Sequence, residues 1–145
     1  MEINIFEECY RLINNYNRKT AKPKNYGTDD LLYPAEVHII DTIGNRGEIT
    51  VTALSELLGI TKGAVSQTTA KLIKKHLIER TPSETEKNAI YISLSENGKI
   101  VYDYHKQMHL KTGEKIDSVM KKLSPENLSL FKEIFSILDE MLENM

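Results

Sequence analysis

The sequence predicts a mainly α fold with one small β-hairpin. Three observations carry that expectation. Apolar residues recur at three- and four-residue steps in several long segments. Between Thr50 and Ile78 two helical segments meet at a glycine corner. Directly after them, two short stretches of strand character flank a polar tip. Together these describe a winged helix-turn-helix with amphipathic helices at both ends.

Ile5, Phe6, Cys9, Leu12, Ile13 and Tyr16 line one side of a first helix from Glu2 to about Lys19. Thr20 to Asp30 holds Pro23, Gly27 and several turn formers, so it reads as a connection. Tyr33 to Gly44 is the second helix, with Pro34 in its first turn and Val37, Ile40 and Ile43 on its inner side. Asn45-Arg46-Gly47 is a turn, and Glu48-Ile49 a short strand.

Thr50 is the expected N-cap of the next helix, whose apolar stripe is Leu54, Leu57 and Leu58. Gly59 stands where a helix end calls for a left-handed residue, and Ile60 is placed to fill the corner. Thr61 caps a second helix. Val65, Thr69, Leu72 and Ile73 fall on its inner side; Lys62, Gly63, Ser66, Gln67, Ala70, Lys71 and Lys74 fall on its outer side. That outer face is slim, polar, basic and free of carboxylates, as a helix entering a major groove requires.

Leu77 to Thr81 and Ala89 to Leu94 are the two strands, the second alternating Ile90, Ile92 and Leu94 against Ala89, Tyr91 and Ser93. Ser95 caps a long helix to about Leu123, in which Gly113 allows a bend. Ser124-Pro125 opens the last helix, with Leu128, Phe131, Ile134, Phe135, Leu138 and Leu142 on one side.

Formal net charge is −2, which argues against a general nucleic-acid binder, but its distribution is uneven. From Lys62 to Lys87 six Lys or Arg side chains face three glutamates, and the acid gathers at the chain ends. No apolar run approaches the roughly 20 residues of a membrane span, and the first residues do not read as a signal peptide. A cytoplasmic protein is expected. Cys9 is the only cysteine, so no intrachain disulfide can form. The terminal helices carry more apolar surface than a small winged helix covers. Phe6, Tyr16, Phe131 and Phe135 would face water in a monomer, so a homodimer with interlocked ends is expected.

The order of elements resembles the multiple-antibiotic-resistance regulator (MarR) family over nearly the whole chain. The most specific stretches are LSELLGITKGAVSQTTAKLIKKHLIER and YISLSENGK. The resemblance implies one domain over 1–145, with 1–30 and 100–145 as dimerisation helices and 31–99 as the DNA-binding lobe. It implies a homodimer on a pseudo-palindromic operator in double-stranded DNA, most often a repressor, released or tightened by a small ligand or metal ion. Carried over by position, Lys62, Gly63, Ser66, Gln67 and Lys71 meet the major groove, and Thr61 with its neighbouring amides meets a phosphate. The family's Asp-x-Arg wing tip reads Glu86-Lys87-Asn88 here. Lys87, Asn88 and Arg80 are the wing's expected contacts, without the usual arginine at the tip.

His105 and His109 are four residues apart, a spacing that points both rings to one helix face and can chelate a transition metal. With His38 they resemble the zinc-sensing branch of the family. That branch adds a carboxylate, for which Glu36, Asp29 and Asp30 are the candidates; Thr20 stands at the nearest ungapped position. No cofactor is required; zinc is an expected effector. Against this stand solvated imidazoles and a core histidine at position 38. A second reading is the family's pocket for small aromatic acids, lined by Tyr33, His38, Tyr102 and His105. A third is redox sensing through Cys9, near Tyr10 and Tyr16, although Cys9 lies on the apolar side with Phe6 and Ile13. His76 reads as a surface or hinge residue.

An enzyme is not expected. There is no phosphate-binding glycine loop, and Lys106 stands where a metalloprotease motif needs glutamate. The alternative outside DNA binding is a winged-helix protein-interaction module, which would place acidic or apolar residues on the outer face of Lys62 to Lys74.

Overall fold

A computed structural model describes residues 4–83 and 89–144. The chain divides into two compact units, Met1–Lys106 and Gln107–Met145. The first holds α1 (Ile5–Thr20), β1 (Lys24–Asn25), β2 (Leu31–Leu32), α2 (Pro34–Arg46), β3 (Glu48–Thr50), α3 (Val51–Leu58), α4 (Lys62–Lys74), β4 (Ile78–Pro82) and β5 (Ile90–Leu94). It also holds the beginning of α5 (Glu96–Met120); the rest of α5 and α6 (Pro125–Glu143) form the second unit.

The three-stranded sheet has the order β3-β5-β4, antiparallel throughout. Ile92 is its buried centre, opposite Ile49 on one side and Arg80 on the other. Around it gather Val37, Ile40 and Ile43 of α2, Leu54 of α3, Val65 and Leu72 of α4, Leu77, and Val101 of α5. The mainly helical fold with a small sheet is the one expected, with local differences.

The segment read as a plain connection contains a two-stranded ribbon, Lys24 opposite Leu32 and Asn25 opposite Leu31. Two residues per strand are too few to leave a period-two pattern. The turn is built by Asn25, whose side chain accepts from the Gly27 N–H at 2.8 Å and donates to the Thr28 carbonyl. Gly27 has φ +88°, and Tyr26 and Leu32 anchor the ribbon in the core.

In α3, Leu54 is buried and Leu58 packs at the core's edge, but Leu57 is half exposed. Successive residues turn about 100°, and Ser55 is also buried, so the inner face centres on Leu54, Ser55 and Leu58 and leaves Leu57 outside. Ser55 satisfies its hydroxyl by donating to the Thr52 carbonyl at 2.7 Å. Ile60 is exposed as well; the corner is closed by its N–H on the Ser55 carbonyl at 3.2 Å and by Gly59 at φ 64°. α5 continues through Gly113, where a bend was allowed.

The second unit has no buried side chain among the described residues. Phe131 and Phe135 stack edge to face at 4.9 Å between centroids, yet both remain exposed. α6 starts as expected, with Ser124 accepting from the Asn127 N–H at 3.2 Å and Pro125 in the first turn.

Between β4 and α5 the backbones touch. A Cβ on Gly98 would collide with the Leu77 carbonyl oxygen, which itself accepts from the Ser95 N–H at 3.1 Å. Gly98→Ala is therefore expected to destabilise the chain by about 1–3 kcal/mol, read as a lowered midpoint in urea unfolding; Gly113→Ala, with open space around it, is the control and should not lose stability.

Candidate nucleic-acid interface and the cluster behind it

α4 begins at Thr61, whose hydroxyl oxygen accepts from the Ala64 N–H at 3.2 Å. The cap leaves other first-turn N–H groups pointing outward, a natural site for a phosphate. Val65, Thr69 and Leu72 are buried. The buried Thr69 hydroxyl donates back to the Ser66 carbonyl at 3.1 Å, so no polar group is stranded inside. Lys62, Gly63, Ser66, Gln67, Ala70, Lys71 and Lys74 are all exposed. The helix thus presents three lysines, two hydrogen-bonding side chains and two small residues on one surface, with no carboxylate among them.

Arg80 is exposed on β4, opposite Ile92. Lys87 and Asn88, with Glu86, lie outside the described residues. His76, read as a surface or hinge residue, follows the last turn of α4 with φ 55°, the left-handed conformation that a helix end often assigns to glycine. Its N–H bonds the Ile73 carbonyl at 2.9 Å, and the Leu77 N–H bonds the Leu72 carbonyl at 3.0 Å.

Behind this face, α2 and α5 bring a second set of side chains together. The His38 and His105 rings stand 6.0 Å apart, edge to face. His105 Nδ1 lies 3.3 Å from Asp41 Oδ1. Tyr26 stands 6.4 Å from the His105 ring and 6.1 Å from that of Tyr104. Burial, then the neighbouring Tyr104 and Tyr16, push the Tyr26 hydroxyl above its usual pKa. His38 itself is exposed, not enclosed in the core.

Asp41 was not singled out from the sequence. Its signal was available: it lies three residues after His38, on the same helix face. Glu36, the carboxylate candidate from this helix, is turned elsewhere. Its Oε1 accepts from Lys75 Nζ at 2.7 Å and its Oε2 from the Tyr33 N–H at 2.8 Å. At the first turn of α2 those two donors claim both its oxygens. Asp29 and Asp30 lie in the turn between β1 and β2. His109 falls in the second unit and is exposed. Among the described residues no three His, Cys, Asp or Glu side chains stand together in the geometry of a metal site.

The four residues proposed for a small-acid pocket separate. His38 and His105 face each other, but Tyr102 turns to a different cleft of about 440 Å³, lined with Gly44, Gly47, Ser93, Leu94, Lys99 and Asp103. Its ring lies where a Cβ on Gly44 would be, and its hydroxyl donates to Asn45 Oδ1 at 2.9 Å. The missing side chain at Gly44 draws Tyr102 to that side. Tyr33 is exposed at the start of α2. Cys9 is half buried on α1.

Residues 32–89 match the MarR family. The chain is 26% identical over 144 residues to the HTH-type transcriptional regulator YhjH of Bacillus subtilis, covering 91% of this chain and 82% of that one. It resembles the structure of Streptococcus pneumoniae FabT in complex with DNA at 27% identity and a TM-score of 0.69, over 97% of this chain and 96% of the other. It shares its fold with the adhesin competence repressor AdcR of Streptococcus pyogenes at 20% identity and a TM-score of 0.75. There the match covers 97% of this chain and 99% of the other. The zinc-responsive ZitR of Lactococcus lactis has the same fold at 18% identity and a TM-score of 0.63, over 95% and 99% of the two chains.

Proposed function

We propose that the protein, whose residues 32–89 match the MarR family and which is 26% identical to an HTH-type transcriptional regulator, reads a pseudo-palindromic operator as a homodimeric repressor. The observation that carries this reading is α4: every residue assigned to its outer side is exposed, and none is acidic. Ser66 and Gln67 are the base-reading candidates, with glutamine suited to adenine. Lys62, Gly63 and Lys71 approach the groove, Thr61 and the helix N-terminus hold a phosphate, and Arg80, Lys87 and Asn88 serve the wing. Repression is the sign of regulation that the resemblance to the MarR family implies.

Binding should therefore be strongly salt-dependent. Fluorescence anisotropy on duplexes from the DNA upstream of the coding sequence checks this. Lys71→Ala should reduce the slope of log affinity against log salt by about 1, and Gln67→Ala should cost about 1–3 kcal/mol at one base position. Weak binding that ignores salt and sequence would favour the protein-interaction module.

The dimer rests on apolar surface without cover. Ile5, Phe6, Ile13 and Tyr16 are exposed on α1, and Ile134, Phe135 and Leu142 on α6. A helix pair below roughly 40 residues does not build an adequate core alone. A second copy supplies the cover for both helices, in keeping with 1–30 and 100–145 as dimerisation segments around a lobe at 31–99. Sedimentation at micromolar concentration should give twice the chain mass; a lone monomer would contradict the assembly.

Control by zinc is a second reading, supported by the facing imidazoles of His38 and His105 and by the Asp41 carboxylate beside His105; zinc would have to draw these side chains together, since among the described residues no three such groups stand in the geometry of a metal site. Nitrogen and oxygen donors of this kind suit zinc. His109 and Glu36 remain proposed ligands, with Glu36 having to leave Lys75. Titration calorimetry on dialysed protein should show zinc binding that His105→Ala abolishes. No heat with zinc, nickel or manganese would return the effector to a small acid beside His38 and His105, or to Cys9.

A further inference from the structure

Lys75 belongs by sequence to the basic run that ends α4, beside Lys71 and Lys74. The structure turns it the other way. It is the C-cap residue of α4, and its Nζ donates to Glu36 Oε1 at 2.7 Å and to the Leu31 carbonyl at 3.1 Å. The Glu36 side chain is 7% exposed and that of Lys75 27%. Among the described residues this is the one ion pair joining α4 to another element.

Each charge suits its place. Glu36 sits in the first turn of α2, where the helix end is electropositive, and Lys75 at the electronegative end of α4. A part-buried pair of this kind contributes little net stability compared with apolar residues, because Glu36 and much of Lys75 lose water; what it can fix is register. The residues that follow the same helix end are held by Ser95, just ahead of α5. Ser95 Oγ donates to the His76 carbonyl at 2.6 Å, and the Ser95 N–H donates to that of Leu77 at 3.1 Å. The end of α4 is thus held by the first turn of α2 through Lys75, and the two residues after it by Ser95, just ahead of α5.

We infer that Glu36 and Lys75 are positioning residues that set the angle of α4, and so govern discrimination between DNA sequences and not general affinity for DNA. This rests on the DNA-reading role proposed above. Neither residue contacts DNA in this account. Removing the Glu36 charge gives the sharpest contrast, because loss of a negative charge alone would strengthen DNA binding.

The test selects duplexes from a randomised 30-bp library with the wild-type protein. It then measures affinity for the best selected duplex and for poly(dI-dC) across a salt series. Variants are Glu36→Gln, Lys75→Ala and the double Glu36→Met/Lys75→Met, each checked by thermal melting. In all three the ratio of selected to poly(dI-dC) affinity should fall by about tenfold or more, comparable to a mismatched base pair, with the salt slope on poly(dI-dC) unchanged. If the Met pair does not fold, Glu36→Gln decides. An unchanged ratio in Glu36→Gln overturns the inference. So does a Lys75→Ala slope shallower by about 1 with equal losses on both DNAs, the mark of a phosphate contact. Failure of the wild type to enrich any sequence strikes instead at the DNA-reading role, and takes this inference with it.

Discussion

The backbone around Leu77 is the point on which the rest of the first unit depends. Its N–H finishes α4 by bonding Leu72, its carbonyl receives Ser95, and its side chain is buried in the core. The recognition helix ends there, the wing strand starts there, and α5 is anchored there. Backbone atoms from two elements approach so closely that Gly98 can carry no side chain. A displacement at this point would move helix, wing and long helix together. Side chains alone would have allowed each to shift separately.

Charge is arranged to agree with that geometry. A chain of net −2 can bind a polyanion only through a face from which its acids are excluded. On α4 this is achieved by composition, while the nearest inward carboxylate, Glu36, is neutralised by Lys75. Apolar surface follows a similar division. The winged-helix core is closed and well covered, whereas α1 and the second unit keep their aromatic and branched side chains in water. Burying those faces stabilises an assembly at roughly 25 cal/mol per Å² of apolar area, which favours association over a solitary chain.

Much of this was legible in the sequence because it rests on local rules. The caps at Thr50, Thr61 and Ser124, the left-handed Gly59 and the inward set Val65, Thr69 and Leu72 all follow from spacing and residue chemistry within one turn of helix. The features that escaped depend on contacts distant in sequence. Lys75 looks like its lysine neighbours until Glu36, far upstream, is placed beside it. Tyr102 looks like a companion of His105 until the bare surface of Gly44 draws it away. Asp41 meets His105 only because α2 and α5 lie side by side. Leu57 shows a different limit: an apolar residue at helical spacing still falls outside when a small polar one, Ser55, shifts the centre of the buried face.

The strand order β3-β5-β4 bears on how the chain acquires its fold during synthesis. The central strand is the last of the three to leave the ribosome, and it pairs with the first across the whole helix-turn-helix. Non-local pairing of this kind closes a long loop before any contact rewards it, which slows folding. α3 and α4 therefore emerge with their apolar sides covered only in part, by Val37, Ile40 and Ile43 of α2, and wait for Ile92 and Val101 to complete the core. A nascent chain cut short before β5 lacks the strand that joins the other two, so premature termination yields a fragment without the wing's sheet rather than a working lobe without its terminal helices.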